Sequence, residues 1–243
     1  ALLEVRALGT GRVQLNGRVV DSWDGVLPRS LFFYLVDRGL ATRSEIFDTF
    51  WPNLTTREAT NVFHVTKRKI SEVLGVDLTV YWSGFYRIAS NIDLQYDSAL
   101  FTEMVQASAV AEPDEAMRLL TYATSLYQGD FLSTVEMEWT QKRRQEMTQN
   151  YGEALIALGK LKEQAGSIEE ALGLYVRASA TNPQREDLAR SIMLLYRQLG
   201  MHDDAIATYK RLEAELDNTL GVSPARSLQE LLTEIQTEAE RVM

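Results

Sequence analysis

Residues 61–70, NVFHVTKRKI, gather a carboxamide, a histidine and three consecutive cations, Lys67, Arg68 and Lys69, within ten positions. Side chains of these types at helical spacing suit recognition of a polyanion. Lysine and arginine neutralise phosphates and reach the O6 and N7 acceptors of guanine, while asparagine pairs with N6 and N7 of adenine. On a wheel of about 100° per residue, Ala59, Phe63, Thr66, Ile70, Val73 and Leu74 fall on one side and form a core stripe. Asn61, His64, Val65, Arg68, Lys69 and Glu72 fall on the other, with Lys67 at the boundary. Val65 on the outer side is poorly explained by solvation, but contact with a thymine methyl would account for it. Taken alone, three cations balanced by Glu58 and Glu72 also describe an ordinary solvated face.

The elements around this stretch narrow the choice. Upstream, LEVRALG, RVQL and RVVDS alternate around Asn16-Gly17, a dipeptide that accepts the positive φ angles of a two-residue hairpin turn, which predicts a small antiparallel sheet up to about residue 25. Pro28 suits a helix start, and Leu31, Phe32, Leu35 and Val36 continue that helix towards Gly39. Thr42 with Glu45 and Thr55 with Glu58 have capping-box spacing. The first box opens a short helix stopping at Pro52, and the second a longer helix running to Leu74 with Gly75 as C-cap. LTVYW and FYRIA around Ser83-Gly84 predict a hairpin. The order sheet, three helices, hairpin is that of a winged helix, whose third helix enters the major groove while the wing approaches the backbone or minor groove. Arg87 on the wing joins the candidate contacts, at the least as a wing support, whereas Tyr81, Trp82, Phe85 and Tyr86 are expected to staple the core.

From residue 91 long helices are expected. Gly166, Ala171 and Tyr175 recur as Gly200, Ala205 and Tyr209, each 34 residues on, which is the tetratricopeptide period. Ala178 is answered by Leu212, a departure from that pattern. A degenerate pair upstream and a closing helix, SPARSLQELLTEIQTEAERV, complete the predicted stack.

Composition removes other classes. The chain has 243 residues, no cysteine and two histidines, His64 and His202, so neither a histidine-based triad nor a multi-histidine metal site is easily built. No glycine-rich phosphate loop occurs, and Glu169-Glu170 and Asp203-Asp204 sit at predicted helix starts, where the macrodipole favours carboxylates. No enzyme activity, metal or cofactor is expected. No stretch approaches the roughly 18 apolar residues of a membrane span, so no membrane partner is expected and a cytoplasmic location is. The net charge of −9 is unevenly divided. Residues 1–90 hold 11 Lys+Arg against 9 Asp+Glu, and residues 91–243 hold 14 against 25.

The motifs resemble a known family. Residues 1–90, with EIFDTFWP, NVFHVTKRKISEVLG and GFYRI, resemble an OmpR-type winged-helix DNA-binding domain. Residues 91–243, with LYQGDFL, EMEWTQKRRQEM and LGVSPARSLQELLTEI, resemble a bacterial transcriptional activation domain. Together they are similar to activators of the Streptomyces antibiotic regulatory protein type, although Lys69-Ile70-Ser71-Glu72 stands where that family usually carries a denser Arg-Leu-Arg-Arg run. The resemblance implies a mainly α chain, an α+β winged helix followed by an all-α TPR-like repeat domain. It also implies a sequence-specific activator that binds direct repeats in double-stranded DNA and helps to recruit RNA polymerase. Asn61, His64, Val65, Lys67, Arg68, Lys69 and Arg87 are the DNA-binding candidates. A monomer in solution and a head-to-tail pair on DNA are expected. The Ala1 start is read as that of a piece of a longer regulator with further domains. The alternative is a TPR scaffold or adaptor whose winged-helix-like module does not bind DNA tightly.

Overall fold

The structure is a computed structural model and describes residues 1–242. It forms two compact units: Ala1–Glu103 with Ser125–Met147, and Met104–Thr124 with the chain from Thr148 onward.

The first unit opens with β1 (Leu2–Arg6), β2 (Arg12–Leu15) and β3 (Arg18–Val19), an antiparallel meander in which Leu3 pairs with Leu15 and Val5 with Val13. Asn16 and Gly17 turn the last hairpin with φ 50° and 79°, as the sequence predicts. The sheet is larger than the alternation suggests. β7 (Asp93–Tyr96) lies parallel to β1, giving the order β3-β2-β1-β7, so a strand intervenes where the sequence points to helix. The N-terminal amine donates to the Asn91 carbonyl at 2.6 Å and the Asp93 N–H to the Ala1 carbonyl at 2.7 Å, fixing the register.

α1 (Val26–Arg38) is buried on nearly every side from Leu31 to Val36 and is the centre of this unit. Pro28 falls third in the helix rather than first, still within the turn whose N–H groups have no intrahelical partner. Asp37, near its end, accepts from the Tyr96 hydroxyl at 2.7 Å and from Arg143 Nε at 3.1 Å, which ties β7 and the start of α6 (Glu138–Gln164) to α1. Burial pushes the Tyr96 hydroxyl well up, and the adjoining Asp37 carboxylate pushes it further. α2 (Arg43–Phe50) and α3 (Thr56–Leu74) each open on the expected capping box, with both reciprocal hydrogen bonds made. The wing is β5 (Thr79–Trp82) and β6 (Phe85–Ile88), turned by Ser83 and Gly84 at φ 50° and 91°. A further short strand, β4 (Leu40–Thr42), pairs with β6 and makes a three-stranded sheet, order β4-β6-β5.

α4 (Asp97–Ser108) and α5 (Pro113–Leu126) contribute to both units. The second unit continues through α7 (Ile168–Ser179), α8 (Glu186–Gln198), α9 (His202–Leu220) and α10 (Arg226–Val242). Gly166 and Gly200, 34 residues apart, both turn the chain with positive φ, and Ala171 and Ala205 are fully buried. Gly159 lies under the Tyr175 ring, where an added Cβ would come within 2.5 Å of a ring carbon, so only glycine permits this approach. Met193, Tyr209, Leu212, Leu216, Leu228, Leu231 and Ile235 form one cluster that closes the stack with α10.

Candidate nucleic-acid interface

α3 carries the outward face expected of it. Ala59, Phe63, Thr66, Ile70 and Leu74 are buried, and Val73 is half-buried. The Phe63 ring meets Phe47 at 5.9 Å and Tyr86 at 4.9 Å, so the helix is held to α2 and to the wing by aromatic contacts from one side. At its N-terminus the Thr55 hydroxyl and then the Thr55 N–H hold the Glu58 carboxyl below its ordinary range. At its C-terminus Gly75 closes the helix in the left-handed conformation, φ 77°.

The seven candidates share one region but differ in freedom. Asn61 and His64 are exposed, and Val65 retains 48% of its surface. Arg68 is open and lies 3.4 Å from Glu72, one turn on. Lys69 is only 37% exposed and pairs with Asp24 at 2.8 Å. Lys67 is half-buried, its ammonium 5.5 Å from the centre of the Tyr86 ring, which links helix to wing. Arg87 is exposed on β6 and stacks over Trp82 at 5.3 Å.

Three features escaped the sequence reading. Arg57 is exposed in the first turn of α3, and its spacing places it within about 40° of Asn61, His64 and Arg68 on the wheel. The wheel could have found it. Asp24 could not be found that way, because the loop before α1 brings it to α3 from elsewhere. That loop, the first turn of α1 and α3 enclose a mainly apolar groove of about 440 Å³, with Val26 and Pro28 on one side and Asn61, Val65 and Lys69 on the other. Third, the wing aromatics are not all core staples. Tyr86 is buried, but Tyr81, Trp82 and Phe85 are exposed, Trp82 by 64%. Trp82 and Phe85 flank the turn at the hairpin tip, beyond the reach of the core, and Arg43 packs over Tyr81 at 5.7 Å.

The bacterial transcriptional activator domain family matches residues 92–236, more than half of the chain. The chain belongs to this bacterial transcriptional activator domain family. The family is one of transcriptional regulators rather than a class of enzymes. The chain is 26% identical over 194 residues to the regulatory protein AfsR of Streptomyces griseus, an alignment covering 79% of this chain and 20% of that protein. AfsR of Streptomyces coelicolor gives 26% over 195 residues with the same shares. The alignments thus span about a fifth of the length of these curated relatives. Among solved structures, Mycobacterium tuberculosis EmbR in complex with a low-affinity phosphopeptide superimposes with a TM-score of 0.74 at 19% identity, covering 97% of this chain and 65% of that one. The chain therefore shares the mainly helical fold of EmbR, with a winged helix leading into helical repeats. No helix among the described residues is long and apolar enough to cross a membrane.

Proposed function

We propose that this chain is a DNA-binding transcriptional activator that reads duplex DNA with the outward face of α3, approaches the backbone with the β5–β6 wing, and offers its repeat helices to RNA polymerase. The reading surfaces lie within residues 1–90, and residues 91–243 serve partner contacts. The observation that carries this reading is the exposed stripe Arg57, Asn61, His64 and Arg68 on a helix whose opposite stripe is core. At 1.5 Å per residue the stripe is about 16 Å long, matching about five base pairs in the major groove. Val65 adds an apolar contact for a thymine methyl, and Arg87 on its Trp82 plate faces a phosphate with its guanidinium already oriented. The Arg68–Glu72 pair is exposed and contributes little, so a phosphate or guanine can displace the carboxylate.

With few free cations, one copy neutralises few phosphates. Useful affinity then requires two head-to-tail copies on direct repeats about 10–10.5 base pairs apart or a multiple, with a monomer in free solution. A second reading, a repeat-protein adaptor with a weakly binding winged helix, is favoured by the carboxylates set against Arg68 and Lys69.

Binding to a panel of direct-repeat duplexes at two salt concentrations separates the two. For the activator, log K falls with log salt at about −0.9 per phosphate contacted, and Arg68→Ala lowers specific binding by about 1–3 kcal/mol. Inserting half a helical turn between the repeats abolishes paired binding. Salt-insensitive binding, or equal binding by parent and variant to every duplex, leaves the adaptor.

A further inference from the structure

A cleft of about 540 Å³ lies in the first unit, away from α3, between the ends of β1 and β2 and the segment 125–133. Its charged walls are Arg6 and Arg12, which sit directly opposite each other in the antiparallel register of β1 and β2. Like charges at facing positions of an antiparallel pair destabilise the sheet unless something between them offsets the repulsion. Among the described residues only Asp97 offsets it, and in part, through its attraction to Arg6; neither guanidinium has a hydrogen bond or an ion pair. Asp97, the acid in the cleft, is already committed. Its Oδ1 accepts the Ala7 N–H at 2.8 Å and its Oδ2 the Leu8 N–H at 3.0 Å, and burial pushes its carboxyl above the usual range. The hydroxyls of Thr10 and Ser133 line the same cleft without a partner among the described residues, and Gly9 and Gly129 leave its wall bare of side chains.

We propose that this cleft is a binding site for a small phosphorylated ligand, the phosphate dianion held between Arg6 and Arg12 and the remainder of the molecule among the Thr10 and Ser133 hydroxyls. Two guanidinium forks provide two charges and paired N–H donors that match the oxygens of a phosphate dianion. A carboxylate, with one charge and two oxygens, would engage the two forks less fully. The concave shape and size suit a small molecule rather than the convex backbone of a duplex. The site is independent of the DNA-reading surface, since none of its residues lies on α3 or the wing.

The probe is inorganic phosphate, titrated calorimetrically into the full chain at constant ionic strength, with sodium chloride and acetate as comparison anions. Saturable one-to-one binding is expected, with acetate at least tenfold weaker. Arg6→Ala and Arg12→Ala should each weaken phosphate at least tenfold, and Arg12→Lys, which keeps the charge but loses the fork, by less. Arg226→Ala, on an exposed face of α10, should leave it unchanged. Melting curves without phosphate establish that each variant is folded, and Arg6→Gln or Arg12→Gln replaces the alanine variant at the same position if it is not. Absence of saturation beyond the chloride control overturns the site, as does phosphate binding retained in the Arg6→Ala/Arg12→Ala double variant. Acetate binding as tight as phosphate overturns the choice of a dianion. Displacement of phosphate by a short duplex overturns the small-molecule reading and assigns the two arginines to DNA.

Discussion

The two units use side-chain volume in opposite ways. In the first, large rings fill the space between elements: Tyr34 of α1 meets Phe50 of α2 at 5.3 Å, Phe47 meets Phe63 at 5.9 Å, and Phe63 meets Tyr86 at 4.9 Å. In the second, helices approach because volume is missing, with Gly159 under Tyr175 and with Ala171 and Ala205 fully buried. A helix gripped by rings from one side keeps its opposite face for other uses, and α3 is such a helix. A helix in the repeat stack packs against neighbours both before and after it in sequence, and what remains for a partner is the outer edges. The two units should therefore fail under opposite substitutions, one through lost volume and the other through added volume.

The largest effect is expected from Phe63→Ala, which empties the centre of the ring cluster and should cost about 3–5 kcal/mol. All four tryptophans, Trp23, Trp51, Trp82 and Trp139, belong to the first unit, so tryptophan fluorescence during urea unfolding reports that loss alone. Ala171→Leu is the converse test, with overpacking of about 1–3 kcal/mol seen in far-ultraviolet circular dichroism while the fluorescence transition stays in place. An unchanged dichroism transition would remove the close approach at Ala171.

Smaller effects address how α3 is held and presented. Thr55→Ala removes a cap and should cost about 1 kcal/mol. The Glu58 carboxyl is held below its ordinary value of 4.5. Its contribution is therefore complete above that pH and is lost as pH falls from there through the lower folded value. Glu58→Gln should flatten part of the acid side of the stability profile, and the rest remains because Glu45 is held down in the same way by the Thr42 N–H and hydroxyl. The smallest change in stability belongs to Asp24→Asn, since its pair with Lys69 is largely solvated. Its larger effect is on duplex binding. Freed from Asp24, Lys69 can meet a phosphate, so duplex affinity should rise and the salt slope steepen by about 0.9. Weaker or unaltered binding by this variant would place Lys69 outside the interface.

What could be read from the sequence was local. The Asn16-Gly17 and Ser83-Gly84 turns, both capping boxes, the Gly75 cap and the inner stripe of α3 each depend on residues within a few positions of one another. The 34-residue recurrence was equally visible because each repeat packs on the next. What was missed depended on remote partners. β7 is four residues long and becomes a strand only because β1 lies beside it, and β4, at three residues, needs β6. A helical wheel gives the direction of Lys69 about its own axis, but not that a loop forty-odd positions earlier sets Asp24 against it. Nor does alternation along the wing reveal that its tip extends past the core and leaves Trp82 and Phe85 in solvent.

The parallel pairing of β1 with β7 also sets an order of events during synthesis. The ribosome releases β1 first, and its partner follows about 90 residues later, roughly 5–18 s at ordinary translation rates. Throughout that interval the nascent β2–β3 hairpin can form, but the other edge of β1 stands open, its N–H and C=O groups free to pair with a neighbouring chain. Arg6, charged and outward at the end of that strand, discourages such pairing. The repeat helices meet no such delay, because each finds its partner within a few tens of residues. The unit translated first is thus closed by residues translated much later, and a chain interrupted before Asp93 would leave the ribosome with its inner strand exposed.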